Sequence, residues 1–200
     1  MKGSRFRLRV TRLIAAGILG VFALGIAHWA GTHPFTEKTL FVVGISLAAI
    51  GATGRAWATT YISGQKMHSL VITGPYSLCR NPLYLFNTFI AVGIGFCTET
   101  FTMPLVLGLS ISVLHYFQIQ DEERRLQVKF GSDFTTYRSL VPAFLPRTFN
   151  CLEPNELVIS PRVMKRGLFG IGFLLCLIGA IEALQGLHQS GLLPTLYRIY

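Results

Sequence analysis

The sequence has few charged residues and very few acidic ones. Only 14% of its 200 residues are charged, and nine are Asp or Glu against 18 Lys or Arg. A soluble domain usually carries about 25% charged residues, so an ordinary soluble fold is excluded. Because 51% of the residues are hydrophobic, a disordered chain is excluded as well.

Sequence motifs of several common sites are also missing. The four cysteines show no CxxC spacing and the five histidines show no HxxxH or HExxH pattern, so we predict free thiols and no metal site. No glycine-rich loop follows a strand, which argues against a Rossmann cofactor site.

Long uncharged runs dominate what is present. A spanning helix needs about 20 mostly apolar residues. On that basis we predict five transmembrane helices, near 13–31, 38–58, 82–98, 102–120 and 165–187. The expected fold is an all-α, polytopic integral membrane helical bundle, with residues 1–200 as a single membrane domain.

The basic residues predict the orientation of this bundle. Sixteen of the 18 Lys and Arg lie before the first span, in or beside the segment between the second and third, or in or beside the segment between the fourth and fifth; only Lys38 and Arg198 lie opposite. The positive-inside rule therefore places the N-terminus in the cytoplasm and the C-terminus on the other side. The +9 net charge marks topology rather than nucleic-acid binding. Both long polar segments, 59–80 and 121–164, then share the cytoplasmic face.

The first polar segment ends in a predicted helix start. Asn is favoured at the N-cap and Pro at the first helical position, so Asn81 is expected to cap a helix that begins at Pro82. A helix N-terminus also attracts anions, and Arg80 strengthens that field. The alternative is a helix start with no ligand.

The second polar segment begins on the fourth predicted helix. With no breaker before Gly131, this helix is expected to run past the membrane to Phe130. One of its faces carries His115, Gln118, Glu122 and Arg125 at helical spacing. The face is either a solvated ion-pair surface or a carboxylate site for a cationic ligand at the cytoplasmic mouth of the bundle.

Taken together, the two segments resemble the isoprenylcysteine carboxyl methyltransferase family and the related phospholipid methyltransferases. The resemblance covers 61–147. It rests on His68-Ser69-Leu70-Val71, Gly74, Tyr76, Arg80-Asn81-Pro82-Leu83-Tyr84, Glu122-Glu123, Phe130-Gly131, Phe134, Tyr137 and Val141-Pro142. A further helix, 165–187, follows this methyltransferase core.

The resemblance implies an integral membrane enzyme that uses S-adenosylmethionine and releases S-adenosylhomocysteine. Carried over by position, the cofactor contacts are His68, Ser69, Leu70, Val71, Tyr76, Asn81, Pro82, Leu83, Tyr84 and Glu122. Methyl transfer needs alignment rather than a protein nucleophile, and Asn81 and Glu122 are the aligning residues. The implied acceptor is a lipophilic molecule that reaches the cytoplasmic face from the membrane lipids.

The sequence departs from the family at two positions. Asn81 stands where the family usually has His. Gln118 stands where members that methylate prenylcysteine have Arg. The candidate acceptor-binding residues are Gln118, Arg55, Arg80 and Arg125. Three other functions stay open: N-methylation of a phospholipid or other lipid amine, an NADPH-dependent membrane reductase similar to the sterol reductases, and a non-catalytic membrane protein.

Overall fold

The computed structural model describes residues 25–27, 33–63, 69–147, 150–157, 159–193 and 197–199. The elements in chain order are β1 Gly25–Ala27, α1 Pro34–Ile62, α2 Pro75–Leu78, α3 Pro82–Phe96, α4 Thr102–Phe130, α5 Ser132–Leu140, α6 Pro161–Gln189 and β2 Tyr197–Ile199. The two three-residue strands pair in parallel. The rest of the described secondary structure is helical, which confirms the predicted fold class.

Three described helices are long and apolar enough to cross a membrane: α1, α4 and α6. They contain the predicted spans 38–58, 102–120 and 165–187. The helices α1 and α6 extend beyond their spans at both ends, and α4 extends beyond its span at the C-terminal end only. Their length follows from apolar sequence that no breaker interrupts.

The other two predicted spans are not confirmed, so neither is the count of five. The span at 82–98 corresponds to α3, which has 15 residues and a length of about 22 Å at 1.5 Å per residue, against a hydrocarbon core of roughly 30 Å. Of the span at 13–31, residues 25–27 form strand β1 rather than helix. Its other residues lie outside the described part of the chain.

The outer surface of the helices is apolar. Leu105, Leu109, Val113 and Phe117 follow one another at four-residue spacing on α4, and each is more than half exposed. Phe169 and Phe173 do the same on α6. An exposed apolar face of this extent is typical of a surface that lipid covers.

The centre of the bundle is a close contact between α1 and α3. Ala48 is fully buried and lies against Gly93, where an added Cβ would stand 2.5 Å from the Ala48 backbone nitrogen. Small residues allow two helices to approach this closely in a membrane. The α6 residues Leu174 and Ile178 pack on the same core.

The long helix α4 carries the chain beyond the hydrocarbon core. Its 29 residues span about 43 Å. It ends at Phe130 as predicted, because Gly131 adopts φ +51°, a conformation that L side chains rarely take. The sharp turn there sends α5 back toward the start of α3.

The α1–α3 contact predicts opposite effects for one substitution at two glycines. Alanine is better than glycine in a helix by about 1 kcal/mol, so Gly172→Ala on α6, where an added Cβ meets nothing within 4 Å, should stabilise slightly. Gly93→Ala should destabilise, because the Cβ collides with backbone. Thermal unfolding in detergent compares the two variants, and equal melting temperatures would contradict the packing described.

Candidate functional site

A cavity of about 420 Å³ lies between the loop before α3 and the last turns of α4. The loop and the start of α3 form one wall, α4 forms the opposite wall, and α5 closes one end. Its lining residues are Ile62, Ser69, Leu70, Val71, Tyr76, Arg80, Asn81, Pro82, Leu83, Tyr84, Gln118, Asp121, Glu122, Glu123, Arg125, Leu126, Phe134 and Tyr137. The volume is within the range of small-molecule sites, about 300–1,000 Å³.

The structure brings together nine of the ten residues that the sequence singled out for a cofactor. These are Ser69, Leu70, Val71, Tyr76, Asn81, Pro82, Leu83, Tyr84 and Glu122. The tenth, His68, lies outside the described residues. Segments about 40 residues apart in the chain therefore face each other across one cavity.

The four residues predicted to contact an acceptor have different positions. Gln118, Arg80 and Arg125 line the cavity. Arg55 is exposed on α1 and is not among the lining residues, so its contact with an acceptor stays a prediction. The long side chain of an arginine near a helix end can extend so that its charged group reaches the membrane interface. The exposure of Arg55 is consistent with such an interfacial position.

Several lining residues were missing from the sequence-based list. They are Ile62, Asp121, Glu123, Leu126, Phe134 and Tyr137. Glu123, Phe134 and Tyr137 belonged to the pattern of the resemblance, so a signal for these three existed. Ile62 and Leu126 are ordinary apolar residues whose place in the cavity only the helix packing determines.

The two adjacent glutamates on α4 have different partners. Glu123 pairs with Arg80, with 3.1 Å between its Oε1 and the arginine Nε, and both side chains are largely buried. Glu122 accepts a hydrogen bond of 2.8 Å from the hydroxyl of Tyr84 and is exposed to the cavity. Glu123 thus has a structural role in its ion pair with Arg80, whereas the carboxylate of Glu122 is accessible from the cavity.

Arg80 connects three segments that form the site. Its Nη1 donates to the backbone oxygens of Arg138, at 2.9 Å, and Val141, at 2.7 Å, while its Nε holds Glu123. The guanidinium therefore ties the loop before α3 to α4 and to the end of α5. A cation with these partners is a structural anchor, so Arg80 lines the cavity without being a free site for an acidic acceptor.

Asn81 occupies the N-cap position of α3, but its side chain does not cap the helix. The amide Nδ2 donates instead to the backbone oxygen of Ala143, at 3.1 Å. The predicted side-chain cap is therefore wrong, and the reason is a partner 62 residues away. Pro82 is the first helical residue, as expected.

The segment that follows α5 fastens the loop 69–81 from outside. The backbone nitrogen of Arg80 donates to the Pro142 oxygen at 2.8 Å, and that of Gly74 donates to the Leu152 oxygen at 2.7 Å. The Leu152 nitrogen donates to the Ser77 hydroxyl at 3.0 Å. These bonds hold the loop in place without any ligand.

Tyr76 presents a buried hydroxyl group that has no hydrogen-bond partner among the residues that the structure describes. Its ring lies in the cavity wall, and its backbone oxygen accepts a bond of 2.7 Å from the Tyr137 hydroxyl. Burial, and then the negative charge of Glu122, raise the pKa of the Tyr76 phenol well above its ordinary value, so the group stays protonated as a donor. A buried unsatisfied donor costs about 1–3 kcal/mol unless a ligand accepts from it.

The anchoring role of Arg80 can be tested by stability. Arg80→Ala leaves two backbone oxygens without their donor and leaves Glu123 with only the exposed Arg138, whose Nε lies 3.8 Å from Oε2, so the free energy of unfolding should fall by about 3 kcal/mol. Arg124→Ala, which removes the same charge from an exposed position on α4, should have little effect. Denaturant unfolding in micelles measures both, and equal loss in the two variants would refute the role.

Comparison with known proteins places the chain in a family. The sequence model of the phospholipid methyltransferase family matches residues 26–133, or 108 of the 200 residues. The chain is 33% identical to the cobalt-zinc-cadmium resistance protein of Cupriavidus metallidurans over 192 residues, which cover 95% of this chain and 87% of the relative. No solved structure matches.

Two further relatives extend this result. The nickel-cobalt-cadmium resistance protein of Alcaligenes xylosoxydans xylosoxydans is 30% identical over 96% of this chain and 89% of its own length. Methanethiol S-methyltransferase 2 of Bradyrhizobium diazoefficiens is 27% identical over 67% of this chain and 49% of its own length. With its apolar spanning helices, the chain is an integral membrane protein that belongs to the phospholipid methyltransferase family.

Proposed function

We propose that this protein transfers a methyl group from S-adenosylmethionine to a lipophilic acceptor at the cytoplasmic face of the membrane. One observation carries the proposal: residues that the resemblance assigns to the cofactor line a single cavity with an accessible carboxylate, Glu122, and an unsatisfied buried donor, Tyr76. The cytoplasmic orientation rests on the distribution of the basic residues.

The residues of the cavity fit this cofactor chemically. The cofactor carries an ammonium group and a sulfonium, and Asp121 and Glu122 supply negative charge where both can be offset. The aromatic rings of Tyr76 and Tyr84 offer faces for a cation and for the adenine. The Tyr76 hydroxyl can donate to a carboxylate or to a ribose oxygen.

The work of the protein in this reaction is positioning. The bound cofactor supplies a methyl group that its positively charged sulfur already activates. The loop 69–84 and the end of α4 hold that group in one orientation, and the apolar walls formed by Leu70, Val71 and Leu83 exclude water. No side chain has to form a covalent bond.

The charges of the cavity also separate the alternatives. NADPH carries several phosphate groups, whereas the lining holds three acids, Asp121, Glu122 and Glu123, and one cation, Arg125, besides the Arg80 that is bound to Glu123. A carboxylate acceptor such as prenylcysteine finds Gln118 where the enzymes that methylate it have an arginine. The similarity to isoprenylcysteine carboxyl methyltransferases therefore supports the cofactor assignment more than their acceptor.

Binding of S-adenosylhomocysteine tests the proposal directly. Calorimetry in detergent should show saturable binding to one site in the folded protein. Absence of detectable heat at millimolar ligand, with the protein shown to be folded, would contradict a methyltransferase and favour the non-catalytic alternative.

Glu122 should contribute to this binding through its charge. Glu122→Gln removes a charged hydrogen-bond acceptor, which is worth about 1.5–3 kcal/mol, so the dissociation constant should rise at least about tenfold. Asp133→Asn removes a carboxylate from an exposed position on α5 outside the cavity and serves as the matched control. Equal affinities of the two variants would refute the assignment.

Tyr76 offers a second test with two readouts of opposite sign. Tyr76→Phe should raise the dissociation constant of S-adenosylhomocysteine about threefold to tenfold, the value of one hydrogen bond. The same change should leave the ligand-free protein as stable or more stable, since an unsatisfied hydroxyl is removed. Tyr137→Phe, whose hydroxyl is bonded to the Tyr76 oxygen, should instead lower stability. A destabilised Tyr76→Phe variant with unchanged affinity would contradict the role.

A further inference from the structure

A second cavity, of about 490 Å³, lies beside the first on the neighbouring face of α4. It is lined by Arg80, Leu85, Thr88, Ser112, His115, Tyr116, Ile119, Gln120, Glu123, Arg138, Ala143 and Phe144. Arg80 and Glu123 line both cavities, so the two cavities adjoin at this ion pair.

The second cavity combines apolar walls with a few polar groups at membrane depth. Leu85, Ile119 and Phe144 supply apolar surface, while Thr88 and His115 project from the two apolar helices α3 and α4. Polar side chains inside a bilayer are costly, and where they face a cavity they mark a functional position. The volume suits a small lipophilic molecule.

The proton position on His115 follows from its neighbour. Thr88 has one hydroxyl proton and donates it to the backbone oxygen of Tyr84, at 3.0 Å. The Thr88 oxygen lies 3.4 Å from His115 Nδ1, and the shorter bond to Tyr84 favours its role as acceptor there. This arrangement favours the neutral tautomer with its proton on Nδ1 and a lone pair on Nε2.

The imidazole also lies next to the proposed cofactor cavity. His115 is buried, and its ring packs edge-on against Tyr84, with 4.8 Å between the ring centroids. Tyr84 lines the first cavity and donates to Glu122 there. Gln118, one helical turn from His115, also lines the first cavity, so the imidazole lies at the border of the two cavities.

We propose that the second cavity binds the methyl acceptor, that its attacking atom meets the methyl group where the two cavities adjoin, and that His115 Nε2 removes the proton from that atom. The acceptor is then a lipophilic thiol or amine, because a carboxylate needs no base. The charged groups of this cavity are Arg80, Arg138 and Glu123, and the pairing of Glu123 with Arg80 leaves no free anion to repel a developing thiolate. This inference rests on the proposed function.

The step balances in atoms and charge. The lone pair of the acceptor's sulfur or nitrogen forms the new bond to the methyl carbon. The bond between that carbon and the sulfonium breaks, and its electron pair stays on the sulfur, which becomes a neutral thioether. The proton of the attacking atom passes to Nε2, so the positive charge ends on the imidazole.

The first test uses three probes of one chain length with methyl-labelled S-adenosylmethionine: decanethiol, decylamine and decanoate. We expect methylation of the thiol or the amine and none of decanoate. His115→Ala should lower kcat about 100-fold or more with little change in KM, as for loss of a general base, and added imidazole should restore part of it. His33→Ala, which changes an exposed histidine outside both cavities, should behave as the unaltered protein.

Binding of S-adenosylhomocysteine to His115→Ala separates this proposal from the proposed function. The affinity should change far less than in Glu122→Gln, because His115 does not line the first cavity and contacts it only through the Tyr84 ring. Methylation of decanoate alone, a His115→Ala variant with undiminished kcat, or methylation of none of the probes by a protein that binds S-adenosylhomocysteine would each overturn the role of His115. Loss of that binding in the unaltered protein overturns the proposed function instead.

A second readout needs no turnover. In protein with ¹⁵N-labelled histidine, the His115 signals, assigned by their absence in His115→Ala, should show a protonated Nδ1 and an unprotonated Nε2. Decanethiol or decylamine should shift the Nε2 signal. A protonated Nε2 in the neutral ring, or signals that neither probe moves, would contradict the assignment.

Discussion

The candidate site depends on the ion pair between Arg80 and Glu123. One guanidinium joins the loop before α3, the last turns of α4 and the end of α5 through a carboxylate and two backbone oxygens. In a largely buried position such a group must have all its partners, so the three segments can assemble only in one arrangement. That arrangement creates both cavities, and both residues of the pair line both cavities.

The pair also explains how adjacent acids on α4 can have separate tasks. Glu123 faces Arg80, and its charge is offset inside the fold. Glu122 is turned by one helical position, about 100°, toward the first cavity, where Tyr84 orients it. Tyr84 in turn packs on His115, so a chain of contacts runs from the carboxylate of one cavity to the imidazole of the other.

Local sequence rules predicted much of this structure. The uncharged runs located α1, α4 and α6, and Gly131 correctly ended α4, because these features depend on composition and on backbone conformation at single positions. The family resemblance selected nine residues that line the first cavity. The sequence did not predict the bond of Asn81 to Ala143, the bond of Arg80 to Val141 or the exposure of Arg55. Each of them depends on which distant segment packs nearby.

An experimental structure with S-adenosylhomocysteine tests the central claim most directly. The account predicts the ligand in the cavity between the loop 69–84 and α4, with a polar atom in hydrogen-bond distance of the Tyr76 hydroxyl and another in reach of Glu122. A ligand bound elsewhere, or in that cavity with the Tyr76 hydroxyl still unpartnered and Glu122 turned away, would contradict it.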